Sequence, residues 1–203
     1  MAKLFTDLLL EGIKAGLLPA KTQAARNWFR EQAQETIVRD QKQVIRSNPI
    51  QTSKTITGFM YLYYYKPKNY DTLPYHDTFP LVFPFRRTKE GFYGINMHYL
   101  PLEYRAILMD RLYGLSVDDN FDEKTRLKMT YQMLESSSKF RFFRPCIRQY
   151  LNSHVRTRLA LIPANQWDIA LFLPLERFLK SSGGTVQRQK VHLDSVRQIR
   201  RGN

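Results

Sequence analysis

The sequence predicts an α+β protein: a small mixed or barrel-like β-sheet, with an N-terminal helical arm in front of it and central helices between its strands. Three observations carry this expectation. Apolar residues recur at helical spacing through the first 46 positions, aromatic-rich strand-like runs begin at Gly58, and two further β-like runs follow a helical middle. An SH3-like or similarly small barrel fits three strands before the central helices and two after them.

In the arm, Leu4 and Leu8, then Leu9, Ile13 and Leu17, recur at four-residue steps and form an amphipathic stripe. Gly16 and Pro19 interrupt it. A second helical pattern runs through Ala24, Ala25, Trp28, Phe29 and Ala33, with Glu31, Glu35 and Arg39 available for same-face ion pairs. The stripe suits either the rest of the chain or a partner subunit. Residues 47–57 are polar and turn-rich, so the chain divides into an arm (1–50), an α+β body (51–180) and a basic C-terminal tail (181–203).

The body opens with strands expected near 58–65, 80–85 and 92–97, the last two as a hairpin with Gly91 in its turn. Pro101 suits the first turn of a helix and Gly114 its stop. A second central helix is expected from about Asp122 to Glu135, behind the acidic turn Asp118–Asp119. Pro145 predicts a kinked or broken helix across "KFRFFRPCIRQYLN". "VRTRLALIP" and "WDIALFLP" read as strands, residues 174–180 as a short helix, and Gly183–Gly184 as a hinge.

Between Tyr61 and Phe85 lie six tyrosines, four prolines and three phenylalanines. Tyr61, Tyr63 and Tyr65 alternate with Leu62 and Tyr64, which puts the first three on one sheet face and the other two opposite. Core or interface packing explains that alternation more economically than a base-stacking surface does. The prolines Pro67, Pro74, Pro80 and Pro84 belong in loops, at strand starts or at edges, because none can donate to a ladder.

Catalytic chemistry finds little support. His76 has a carboxylate beside it in Asp77, but a turn-satisfying role for Asp77 is the simpler one. His98 has no histidine or cysteine at ligand spacing, Ser136–Ser138 lack a glycine elbow, and "SSGGT" lacks the lysine of a phosphate loop. The densest acidic group, Asp118, Asp119, Asp122 and Glu123, reads as a helix cap. No enzyme activity, metal or cofactor is expected. Cys146 stands alone, which excludes an internal disulfide. No apolar run approaches the roughly 20 residues of a membrane span, so a soluble, non-secreted protein is expected.

Charge is the strongest signal. The chain carries 32 Lys and Arg against 18 Asp and Glu, a formal net charge of +14. The excess is concentrated: residues 139–203 hold 13 basic and 3 acidic side chains. Such asymmetry points to a polyanionic partner. Lys139, Arg141, Arg144 and Arg148 fall at steps that place the arginines on one side of a local helix. Arg156 and Arg158, two apart on an expected strand, share a face. With Arg188, Lys190, Arg197, Arg200 and Arg201 they form a candidate DNA-binding set able to neutralise phosphates without reading sequence. The same cations suit carboxylates of an acidic subunit equally well, and one chain does not choose between them.

"GFYGINMHYLPLEYRAILMDRLYG", with "LPYHDTFPLVFPF" upstream and "WDIALFLPLERF" downstream, resembles virion proteins of T-even-type contractile-tailed phages and their marine relatives, most of all the DNA end protector family. The similarity spans about Gly58 to Phe178. It implies a non-enzymatic virion protein that binds the ends of packaged double-stranded DNA and blocks host exonuclease, present in the host cytoplasm during assembly. The alternative is a structural neck, tail or baseplate component whose arginines meet acidic virion subunits. The family supplies no catalytic residues to carry over.

Overall fold

A computed structural model describes residues 4–17, 22–38, 40–48, 50–55, 58–116, 132–133, 135–136 and 141–201. The expected arm contains three helices, α1 (Leu4–Lys14), α2 (Gln23–Glu35) and α3 (Gln41–Ser47). The Thr22 hydroxyl accepts the Ala25 amide and starts α2, and the Asp40 carboxylate accepts the Lys42 amide and starts α3. The apolar stripe meets the chain's own body: Phe5, Leu8, Leu9, Phe29 and Ala33 are buried in one core with Leu62, Leu81 and Phe83. Each such large side chain removed from water contributes about 1.5–3 kcal/mol.

The main sheet has six strands in the order β1-β7-β2-β4-β5-β6, all antiparallel. They are β1 (Gln51–Thr52), β2 (Met60–Leu62), β4 (Leu81–Arg87), β5 (Gly91–Asn96), β6 (Ile147–Leu151) and β7 (Leu159–Ile162). A small second sheet joins β3 (His76–Asp77), β8 (Phe178–Leu179) and β9 (Thr185–Val186) in the order β3-β8-β9. The fold is α+β, and late residues complete the main sheet, as the strand pattern predicts.

Helices cover one face of that sheet. Among the described residues, α4 (Leu102–Ser116), α5 (Trp167–Phe172) and α6 (Arg188–Arg201) follow the arm. Trp167 meets Phe83 edge-on at 4.9 Å between ring centroids. On the opposite face lie Tyr61, Tyr63, Tyr65, Phe92 and Tyr150, all buried. The alternation expected of the tyrosine stretch holds, and these rings are core. The Tyr65 hydroxyl oxygen also accepts the Leu151 amide at 3.1 Å, tying the ring to the end of β6.

Several expectations fail for identifiable reasons. Residues 141–146 form a 3₁₀ turn and 147–151 a strand, not a kinked helix. Pro145 lies inside the turn, which ends at Cys146, and Ile147–Leu151 then pair with Gly91–Ile95. The three arginines therefore have no common helix face. "WDIALF" is a helix, buried on all sides, and its short run of apolar residues around Asp168 mimicked a buried strand. Residues 178–179 are a strand rather than part of a helix. Gly114 does not stop α4, which continues to Ser116. Arg156 and Arg158 precede β7 in a loop. Most of the helix expected at 122–135 lies outside the described residues.

Two prolines and two glycines fit their places in other ways. Pro80 precedes β4, whereas Pro84 sits inside that central strand, at the register shift between Pro84 and Arg86. Gly91 opens β5 instead of forming the turn, and it must lack a side chain there because a Cβ would overlap the Tyr150 carbonyl. Gly183, with φ of +87°, supplies the left-handed turn between β8 and β9. Residues 181–203, expected as a tail, carry β9 and α6, and Val191, Ser195 and Ile199 of α6 are buried.

Candidate nucleic-acid interface

The Tyr64–Tyr65 segment, continuing from β2, is held on both sides. On one edge the Arg156 amide donates to the Tyr64 carbonyl at 2.8 Å, and the Tyr64 amide to the Thr157 hydroxyl at 3.1 Å. On the other the Tyr65 amide donates to Thr78 O, and the Thr78 amide to Arg177 O. These bonds bring Arg156 and Arg177, 21 positions apart in sequence, to opposite sides of one strand. Helix α3 adds Lys42 and Arg46, one turn apart on its exposed side.

The result is a groove of about 520 Å³ lined by Lys42, Arg46, Arg156, Arg177, Tyr64 and Thr157, among others. Its four cations are exposed. None of the described residues lining it is acidic. A second cavity of about 470 Å³ shares Arg156 and Thr157 and adds Arg158, Asn152 and Ser53, again with no acidic lining residue described. Arg156–Thr157 thus form a ridge between two basic hollows.

Tyr64 is the half-buried ring of the groove, tilted against Phe79 with centroids 4.8 Å apart. Burial raises its hydroxyl above the ordinary tyrosine value, against the charge and hydrogen bond of Arg177, while Asp40 adds to the rise. The hydroxyl is therefore neutral at pH 7, beside the Arg177 charge.

A second basic surface is on α6. Lys190, Arg197 and Arg201 are exposed and stand seven and four residues apart, on the side away from Val191, Ser195 and Ile199. Arg200 is exposed beside them. Arg197 lies 3.4 Å from Asp194, a pairing of little consequence at an exposed helix surface.

Beneath α6 lies a buried polar network. Arg105, wholly inaccessible, donates to Leu100 O (2.7 Å), Leu171 O (2.6 Å) and Glu176 Oε1 (2.7 Å). Burial alone would raise Glu176, but the charges of Arg105 and His98 outweigh it and leave the carboxyl at about 2. His192 of α6 donates to the His98 carbonyl at 3.1 Å, while burial and Arg105 push it down to about 4. Nearby, the Asp77 carboxylate accepts the Phe79 amide, the Asn96 side chain and His98 Nδ1, the last at 2.8 Å. Asp77 thus satisfies its own turn as expected, and its imidazole partner is His98 rather than His76.

A family described as Phage T4 terminal DNA protecting protein matches residues 10–195. The chain belongs to that family. No curated protein and no solved structure matches it. Among the described residues no three His, Cys, Asp or Glu side chains gather as a metal site, and no helix is long and apolar enough to cross a membrane.

In this member of the terminal DNA protecting family, the eleven basic residues singled out from sequence do not form one patch. Arg156 and Arg158 line the hollows. Lys190, Arg197, Arg200 and Arg201 make the α6 surface. Arg148 is drawn into the fold, its guanidinium 4.3 Å over the Tyr99 ring, and Arg188 reaches Glu176 at 3.9 Å. Arg144 is exposed on the 3₁₀ turn. Lys139 and the Arg141 side chain fall outside the described residues. Sequence reasoning missed Lys42, Arg46, Arg177 and the position of Tyr64. The four-residue step from Lys42 to Arg46 was the available signal, hidden by assigning them to an arm.

Proposed function

We propose that the protein binds the ends of packaged double-stranded DNA and shields them without catalysing a reaction. The observation carrying this reading is the groove between α3, Tyr64 and the 156–158 loop, whose described lining has four cations and no acid. Phosphates lie against Lys42, Arg46, Arg156, Arg158 and Arg177, and the α6 surface holds the adjoining duplex. All three acidic residues after position 139 stand beside an arginine: Asp168 by Arg30, Glu176 by Arg105, Asp194 by Arg197. Among the described cations of that third, Arg144, Arg156, Arg158, Arg177, Lys190, Arg200 and Arg201 are exposed and pair with none of those three acids. Such contacts read backbone charge rather than base sequence, which suits a protein that meets whatever sequence lies at a terminus. The protein acts in the virion and is present in the host cytoplasm during assembly.

The test is protection of a linear duplex from an exonuclease, with binding measured across salt. Wild type shields the ends, and its affinity falls steeply with salt, with a log–log slope of about −4.5 from those five phosphate contacts. Replacing Lys42, Arg46, Arg156 and Arg177 together by Gln removes most of the protection. Failure of the wild type to bind DNA at low salt replaces this reading with a structural neck, tail or baseplate component that packs against acidic virion subunits.

A further inference from the structure

We propose that the groove receives one unpaired strand of the DNA terminus, a nucleotide or two long, with a phosphate between Arg156 and Arg177 and a base against Tyr64. This rests on the end-binding reading and adds which form of the end is held. Size is the first argument. A cavity of about 520 Å³ falls within the roughly 300–1,000 Å³ of sites for single small ligands. It is too small for a stacked duplex, whose major groove alone is about 12 Å across.

Chemistry is the second argument. Single-strand sites combine cations that follow the backbone with an aromatic ring on which a base stacks. Tyr64 is the tyrosine of its segment placed for this: Tyr61, Tyr63 and Tyr65 are buried on the other sheet face, Tyr65 only bordering the groove, whereas the Tyr64 ring is half-buried in its lining. Phe79 backs its ring, and the backbone on either side of the ring is held by Thr157 and Arg156, so the platform is in place before any ligand arrives. The Thr157 hydroxyl accepts the Tyr64 amide, which leaves its proton to donate to a phosphate oxygen. Continuity is the third argument. The second hollow lies across the Arg156–Thr157 ridge with Arg158 and Asn152 in its wall, so a strand crossing the ridge keeps a cation beside each phosphate. A paired base hides both faces in the stack. Only a frayed or overhanging end offers one at low cost.

The experiment measures binding of the full chain to three internally labelled duplexes of about 30 base pairs: one closed at both ends by non-nucleotide glycol linkers, one blunt, and one with about four unpaired nucleotides at an end. The unpaired end is expected to bind about tenfold more tightly than the closed duplex, with the blunt end between them. Arg177→Gln, at an exposed position, and Tyr64→Leu should each bring the unpaired end down to the blunt one. Equal binding of the blunt and unpaired ends, both above the closed duplex, overturns the single-strand proposal and leaves end binding intact. Equal binding of all three, or of none, overturns both.

Discussion

The guanidinium of Arg105 and those of Arg156 and Arg177 lie in one chain under opposite conditions. Arg105 has no accessible surface and spends its donors on two carbonyls in α5 and the turn before α4, and on Glu176. Arg156 and Arg177 are exposed in a groove whose described lining holds no carboxylate. A buried charge survives only when paired and hydrogen-bonded, so the first region is a structural joint. A cluster of exposed like charges repels itself until an anion arrives, so the second is a receiving surface. Net charge does not distinguish them; the partners do.

The sharpest way to break the comparison is to remove the joint. Arg105→Met leaves Glu176 buried without its main partner and strips the Leu100 and Leu171 carbonyls of a donor. The expected loss is about 3–5 kcal/mol of folding stability, read by urea or thermal denaturation. An undiminished midpoint would show that the network is not structural. Arg30 tests the same logic at the arm. It bridges Asp168 at 2.8 Å and Asp110 at 2.7 Å, tying α2 to α5 and α4. Because Asp110 is partly solvated, Arg30→Met is expected to cost less than Arg105→Met, about 2–3 kcal/mol.

The sheet was legible where one face differs from the other. Tyr61 to Tyr65 alternate, and the two sides of β2 enter two separate cores. It was illegible where burial is complete, as in "WDIALF", whose apolar run has no period to read. The basic set was legible as a property of the last third but not as a site. Its members separate because Arg148 packs on Tyr99 and Arg188 on Glu176, contacts made by elements distant in sequence. The groove was hidden for the same reason: α3, β2, the 156–158 loop and Arg177 come together only through the pairing of β2 with β7 and of β3 with β8.

A smaller effect comes from pH. His192 has a folded value of about 4, below the ordinary histidine value of 6.5. Between those values the unfolded chain takes up a proton that the folded chain refuses, so stability is full above pH 6.5 and declines as pH falls toward 4. The cause is first burial of the imidazole and then the Arg105 charge, with Arg188 adding to it and the His98 carbonyl and Glu176 only partly offsetting them. His192→Gln should flatten the stability profile over that interval while leaving the groove's DNA binding at pH 7 unchanged. A profile of the same slope in the variant would assign the loss to other groups.

The smallest change in stability should accompany the largest change in binding for its size. Arg158→Gln removes an exposed guanidinium that lines the second hollow, so folding stability should move by no more than about 0.5 kcal/mol. The salt dependence of DNA binding should nonetheless lose about one unit of slope, the signature of one phosphate contact removed. The same replacement at Arg148, which stacks on Tyr99 inside the fold, should do the reverse: lower the melting midpoint and leave the salt slope alone. The two arginines were indistinguishable members of one basic set in the sequence, and the pair of measurements separates them by what each one touches. If both variants changed only the slope, the division between joint and receiving surface would be wrong at β6, and Arg148 would belong with the groove.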